Sequence, residues 1–192
     1  MIAQDETLRL FEERDALLSG HFLLSSGKHS SRYVQCALIL QDPQATAELC
    51  AALAEPWRNE GIRAVVAPAV GGIVLAYELA RALGTRGIFM ERDADDTFIL
   101  RRGFSLEPGE RVLVAEDVVT TGGSVVGIIE AVKALGAEVA GAAALVDRSG
   151  GVDLGCRLTS CLQIEIPVYD PDECPLCARG EPAVKPGSRK QR

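Results

Sequence analysis

The chain has 192 residues, about one domain's worth, and its 47% hydrophobic and 24% charged residues exclude fibrous, low-complexity and wholly disordered classes. Twenty basic against 27 acidic residues leave a formal charge of −7, which weighs against a broad nucleic-acid footprint, since that needs clustered positive charge. No apolar run reaches the roughly 18 residues of a membrane span, and the N-terminus MIAQDETLRLFEERD is acidic where a secretory signal would be basic and then apolar, so the sequence reads as cytoplasmic.

Leu8, Phe11, Leu17 and Leu18, with acids on the other face, predict an amphipathic helix over 4–18 that ends near Gly20. From Phe22 to Leu40, aromatic and β-branched residues mix with Ser and Gly, predicting a short hairpin or two strands joined by Ser26-Gly27-Lys28. Asp42-Pro43 opens a second helix over about 43–60. After Gly61, short apolar runs alternate with helical stretches, the βαβ pattern. Strands are expected at Ala64–Pro68, Arg86–Glu91, Arg111–Ala115 and Val139–Val146, with helices at about 72–83 and 124–135. Runs as uniformly apolar as VLVA and AGAAALV belong to strands covered on both faces, hence a central, mostly parallel sheet. Residues 92–108 read as a long excursion containing a short hairpin around Phe98-Ile99-Leu100.

The sequence divides into a single domain over 1–177, whose first 40 residues or so form a small hood, and a flexible tail over 178–192. Five basic residues there, Arg179, Lys185, Arg189, Lys190 and Arg192, face one acid, Glu181; this end carries +4 and the rest of the −7 chain −11. With glycines and prolines interspersed, it reads as a solvated tail.

The chemistry concentrates in Arg111–Ser124, RVLVAEDVVTTGGS. A buried strand delivers two adjacent carboxylates, Glu116 and Asp117, to the carboxyl edge of the sheet, where open α/β folds place their ligands. The following Thr120, Thr121, Gly122, Gly123 and Ser124 combine close backbone approach, hydroxyl donors and the positive end of a helix, a set suited to a phosphate. The segment is neither a Walker loop nor GxGxxG. A carboxylate pair beside a phosphate loop suits a phosphorylated sugar, whereas a plain acidic strand end with a hydroxyl helix cap would leave the paired acids unexplained.

The strand, the run Glu-Asp-Val-Val-Thr-Thr-Gly-Gly-Ser and the helix resemble the phosphoribosyl-diphosphate (PRPP) motif of type I phosphoribosyltransferases. FLLSSGKHSSRY, ERDADDTFILRRGF and ALVDRSGG extend the likeness over about residues 5–170 and point to the orotate phosphoribosyltransferase family. The resemblance implies an α/β type I phosphoribosyltransferase fold, a central mostly parallel sheet flanked by helices with a small N-terminal hood. It implies transfer of the phosphoribosyl group from PRPP to orotate in pyrimidine biosynthesis, with a salvage enzyme for another base or a non-catalytic PRPP-sensing regulator as alternatives. Residue by residue, it places Glu116 and Asp117 on the ribose hydroxyls and Val118, Val119, Thr120, Thr121, Gly122, Gly123 and Ser124 around the 5′-phosphate. Thr120 and Arg148 meet orotate, Val70, Gly71 and Gly72 form the pyrophosphate loop, and Asp117 and Arg92 are the catalytic positions. A guanidinium fork at Arg148 suits the orotate carboxylate; the bland reading is a surface Arg paired to Asp147. The resemblance further implies Mg²⁺ held mainly through substrate with no direct protein ligand, a homodimer, and neither nucleic-acid nor membrane partners.

The chain departs from the better-known members where they carry lysines: Ser25 stands in the N-terminal segment, Gly71 in the pyrophosphate loop, and the catalytic loop Arg92-Asp93-Ala94-Asp95-Asp96-Thr97 keeps only Arg92. Acids in a loop that meets pyrophosphate need Mg²⁺ or Arg101 and Arg102 to offset them. His29, beside Lys28, reads either as lining the base pocket or as a solvated loop histidine, and neither it nor His21 stands out as a general base. Cys36 and Cys50 read as core thiols. Cys174-Pro-Leu-Cys177 has the CxxC form, with Cys156 and Cys161 as the pair that would complete four zinc thiolates; two free thiols in a C-terminal turn is the plainer reading.

Overall fold

The computed structural model describes residues 3–24 and 26–186. Helix α1 (Gln4–Glu13) is followed by strands β1 (Leu17–Leu23) and β2 (His29–Val34), the four-residue helix α2 (Ala37–Leu40) and helix α3 (Pro43–Ala54). Strand β3 (Ala64–Pro68), helix α4 (Gly72–Leu83), strands β4 (Arg86–Arg92), β5 (Phe98–Leu100) and β6 (Arg111–Val119), helix α5 (Gly123–Ala134) and strands β7 (Glu138–Asp147), β8 (Leu158–Gln163) and β9 (Val168–Tyr169) follow, and helix α6 (Pro175–Ala178) comes last. Ser25, the position without the lysine, lies outside the described residues.

The main sheet runs β5-β4-β3-β6-β7-β8, parallel throughout except for β5, which returns antiparallel to β4. All five residues of β3 are buried, and alternate side chains feed two cores: Val65 and Ala67 pack with Leu49, Leu75 and Leu79 of α3 and α4, while Ala64 and Val66 pack with Ile128 and Val132 of α5. Each fully buried Leu or Ile contributes about 1.5–3 kcal/mol by leaving water, so the doubly covered central strands hold the sheet rigid. The small residues of β7 have a packing reason. A Cβ at Gly141 would collide with the Trp57 ring, which is fully buried and donates its indole N–H to Thr159 Oγ1 at 2.9 Å.

A second, three-stranded antiparallel sheet, β1-β2-β9, forms the hood. The helix expected over 4–18 stops at Glu13: Asp15 takes φ 51, the chain turns, and Leu17 and Leu18 lie in β1. Gly20 therefore lies within a strand, where the register slips between Ser19 and Phe22. The second helix is shorter than expected only at its end, closing at Ala54 into a single 3-10 turn; Asp42 caps it by accepting from the backbone N–H groups of Gln44 and Ala45 at 3.0 and 3.2 Å. Helix 72–83 and strand 64–68 stand as expected, and Gly136, at φ 79, follows α5 as its stop.

Residues 178–186, expected to belong to a solvated tail, run beside the hood. Val184 N–H donates to the His21 carbonyl at 2.8 Å, and Leu23 N–H donates to the Val184 carbonyl at 2.9 Å. As an edge strand, β1 offers unpaired backbone groups, and these take up the backbone of Val184 while its side chain stays exposed. Residues 187–192, with Arg189, Lys190 and Arg192, lie outside the described residues. Among the described residues no helix is long and apolar enough to cross a membrane.

Candidate active site

The carboxyl end of β6 carries Glu116 and Asp117 to the point where the sheet meets the hood. Glu116 is only 8% exposed; burial first, and then the charge of Asp117 beside it, push its carboxyl up to about 8. Asp117 turns back on the backbone, accepting from Val118 N–H at 2.9 Å. The loop that follows reaches α5 through Gly122, whose φ of 78 is left-handed and whose missing Cβ would lie 2.6 Å from a Leu154 methyl carbon. Thr120, Thr121 and Gly123 are exposed in this turn at the α5 N-terminus, and none of the hydroxyls of Thr120, Thr121 and Ser124 is engaged by a protein group among the described residues. Free hydroxyls and the open N–H groups of a helix start face the same space, the arrangement expected for an anion.

The β3–α4 turn comes up beside this loop. A Cβ on Gly71 would sit 3.1 Å from Asp117 Oδ2, and one on Gly72 would sit 2.7 Å from the Ala67 Cβ, so the two glycines leave room for the Asp117 carboxylate and the Ala67 side chain against the turn. Val70 stands out at 82% exposed. Arg148 follows β7 and is tied to the same edge by its N–H, which donates to the Val119 carbonyl at 2.9 Å. Asp147 is taken up by Ser149, which donates from its N–H and its hydroxyl at 2.9 and 2.6 Å, and no ion pair engages Arg148 among the described residues. The bland pairing with Asp147 is thus not formed. Partial burial lowers the Arg148 pKa, partly offset by Tyr33, leaving a desolvated guanidinium that favours an incoming anion.

Asp117, Val118, Thr120, Thr121 and Arg148 line one cavity of about 800 Å³, closed on the far side by the hood through Leu24, Lys28 and Tyr33. Lys185 also lines it, a residue the sequence reading assigned to the tail; the only signal was its charge, because its position depends on the return of residues 181–184 to β1. Glu116, beneath Asp117, and the Val70-Gly71-Gly72 turn flank the cavity, while Val119 is buried behind the loop.

Arg92 ends β4 close enough to offset part of the Glu116 shift. The expected excursion does contain a short hairpin, followed by irregular chain over 101–110: Asp93 Oδ1 accepts from Asp95 N–H and Thr97 N–H at 2.9 Å each, and β5 pairs straight back onto β4. Arg92 makes an ion pair with Asp96 at 3.0 Å and lies 4.1 Å from the Phe98 ring centroid. Arg101 and Arg102, expected to offset the loop acids, pair with Glu91 at 3.8 and 2.7 Å.

Neither histidine lines this cavity. His21 and His29 are 5% and 9% exposed and face each other, and Cys174 and Cys177 lie against them. Cys161, expected as a partner of the CxxC pair, is buried with its thiol toward the Leu49 carbonyl at 3.5 Å, and Cys156 packs beside the α5 core. Cys36 and Cys50 are buried as expected, and burial, followed by the Asp117 and Glu116 charges, raises the Cys36 thiol well above its usual value.

The sequence profile described as "Phosphoribosyl transferase domain" matches residues 38–155. The orotate phosphoribosyltransferase of Pelotomaculum thermopropionicum is 56% identical over 190 residues, 98% of this chain and 100% of its own length. That of Desulforamulus reducens is 55% identical over 188 residues, 97% and 98% of the two chains. Among solved structures, orotate phosphoribosyltransferase from Aeropyrum pernix superimposes with a TM-score of 0.65 at 29% identity, covering 82% of this chain and 93% of that one.

Proposed function

The chain belongs to the phosphoribosyl transferase family, and from that membership we propose that its cavity is the site of an orotate phosphoribosyltransferase. The enzyme transfers the phosphoribosyl group of PRPP to N1 of orotate, giving orotidine 5′-monophosphate and pyrophosphate in pyrimidine biosynthesis. The observation that carries the site assignment is the convergence on one cavity of Asp117, the Thr120-Thr121 turn that opens α5 and a partly buried Arg148 without a carboxylate partner.

As the C1–O bond breaks, positive charge grows on the ribose and negative charge on the departing diphosphate. Groups fixed in place before the reaction are what stabilise both. In this reading Asp117, with Glu116 behind it, accepts from the ribose hydroxyls and lies near the growing positive charge. Val118 to Ser124 wrap the 5′-phosphate, Val70, Gly71 and Gly72 bring backbone N–H groups to the diphosphate, and Arg92 approaches it from β4. Arg148 holds the orotate carboxylate and Thr120 contributes a hydroxyl to the base. Lys185 adds positive charge to the hood side of the cavity, where Lys28 is paired with Asp170 at 3.1 Å.

Asp117, the carboxylate of the pair that reaches the cavity, offers oxygens that fit a hard cation carried on substrate oxygens. Magnesium bound mainly by PRPP supplies neutralisation of the diphosphate charge. The enzyme acts in the cytoplasm as a homodimer; the exposed Val70, Val74 and Tyr77, which lie together on the β3–α4 turn and the outer side of α4, support an apolar contact between copies.

Magnesium-dependent loss of orotate's ultraviolet absorbance on adding PRPP tests the reading, with uracil, hypoxanthine and adenine in parallel. Turnover with orotate alone is expected. Turnover with another base instead moves the substrate to salvage, and PRPP binding without turnover of any base makes the protein a sensor.

A further inference from the structure

The hood contains a second cluster of chemically capable side chains, apart from the cavity. His21 from β1, His29 from the start of β2, and Cys174 and Cys177 from the turn around α6 each offer one ligand atom, and these four atoms lie within 4.8 Å of one another. Cys177 Sγ is 3.2 Å from His29 Nδ1 and 3.8 Å from His21 Nε2, Cys174 Sγ is 3.6 Å from His21 Nε2, and the two nitrogens are 2.8 Å apart. A tetrahedral zinc with N and S ligands sets neighbouring donor atoms roughly 3.3–3.8 Å apart. The four separations of 2.8–3.8 Å lie close to those dimensions, with the two nitrogens needing to separate as the donors close on one ion.

We propose that His21, His29, Cys174 and Cys177 bind one zinc ion that clasps the hood to the C-terminal segment.

The hydrogen bonding around the cluster fits this assignment. His21 Nδ1 lies 2.7 Å from the Glu181 carbonyl, which can only accept, so the ring proton is on Nδ1 and the Nε2 lone pair points into the cluster. A carbonyl holding the outer nitrogen of a ligating imidazole is the usual support for a metal-bound histidine. The Cys-x-x-Cys turn is also built for it: Ala178 N–H donates to the Cys174 carbonyl at 3.1 Å, and Gly180 N–H donates to the Cys177 carbonyl at 2.8 Å, curling the chain so both thiols face the same way. A two-nitrogen, two-sulfur tetrahedron favours zinc over harder or square-planar ions. On binding, the two thiols release two protons, and two thiolates cancel the charge of Zn²⁺, leaving a neutral unit that can lie against a mostly buried wall.

All four positions are filled by protein, so the site is structural and leaves no coordination place for a substrate. Its location gives it a purpose in the fold. The hood sheet has three strands, one of only two residues, and offers little core of its own. A metal tie between β1, β2 and the segment after β9 would hold Lys28 and Lys185 at the cavity rim.

The full chain, purified without chelator or immobilised metal, should contain about one zinc per chain by elemental analysis, as a closed four-ligand site requires. A mercurial that caps thiols should release that zinc and lower the midpoint of thermal unfolding. Replacement with cobalt(II) should give the visible bands of a tetrahedral thiolate complex, a readout that does not depend on orotate turnover. The double variant Cys174→Ser with Cys177→Ser should lose the metal, and Cys156→Ser should keep it. Metal-free protein that takes up neither zinc nor cobalt under reducing conditions overturns the proposal. So does zinc retained in the double variant, or a Cys174–Cys177 disulfide found by mass spectrometry in protein kept under nitrogen.

Discussion

The β6–α5 loop and the β4–β5 hairpin leave the carboxyl ends of parallel strands in one sheet and treat their polar groups in opposite ways. In the first, the hydroxyls of Thr120, Thr121 and Ser124 and the α5 N-terminus are left open to the cavity, while a glycine at φ 78 and the buried Glu116 fix the backbone. In the second, Asp93 accepts from its own turn and Arg92 is satisfied by Asp96 and the Phe98 face. One loop keeps its donors for a ligand and is rigid before the ligand arrives. The other has satisfied itself, so recruiting Arg92 for the diphosphate requires breaking a pair. Preorganised groups lose little on binding, whereas the hairpin must exchange one partner for another.

That contrast can be tested by substitution on each side. Asp117→Asn, at the preorganised loop, should lower kcat/KM on the order of 100-fold, the scale of losing one fixed electrostatic partner, with the circular dichroism spectrum unchanged. A loss below threefold would remove Asp117 from the ribose. Arg148→Ala should raise the KM for orotate roughly 10- to 100-fold, as expected for a charge-assisted hydrogen bond, while the PRPP KM moves little. Equal shifts in both constants would detach Arg148 from the base.

Glu116 gives a pH-dependent version of the same test. Its folded-state pKa of about 8 lies above the ordinary 4.5, so its contribution to stability is complete below about 4.5 and is lost as pH rises through 8. Glu116→Gln should flatten that decline, measured as thermal midpoint against pH; an unchanged slope would mean another group is responsible. The smallest effect belongs to the hairpin. Asp96→Asn removes an exposed pair and should change stability by less than about 0.5 kcal/mol, while lowering the diphosphate-side cost by leaving Arg92 held only by the Asp96 carbonyl and the Phe98 face. A fall in turnover with PRPP would instead make the Arg92–Asp96 pair part of the working site.

Much of the main sheet was legible because its signals are local. The run Ala64–Pro68 is bounded by Gly and Pro, helix 72–83 carries its own period, and Glu116 to Ser124 are contiguous in sequence. The hood was legible only in part. Leu17 and Leu18 fit a helical face as well as a strand, and the turn at Asp15 that decides between them is a left-handed residue no pattern announces. Of the His21, His29, Cys174 and Cys177 group only the CxxC half was legible, because the two halves are about 150 residues apart and the cysteines meet histidines where the sequence offered Cys156 and Cys161. Lys185 escaped for the same reason: its place at the cavity follows from pairing between the last described residues and β1.

That pairing bears on how the chain is made. β1 is synthesised first among the strands, yet its neighbour β2 pairs with β9, and β1 itself receives Val184, so the roof of the cavity is assembled from segments far apart in the sequence. The parallel sheet can form as its βαβ units leave the ribosome, but the hood must wait for residues 168–184. Through most of translation, an early hairpin with two histidines and an open edge therefore stays incomplete, until residues 168–184 emerge and close the site.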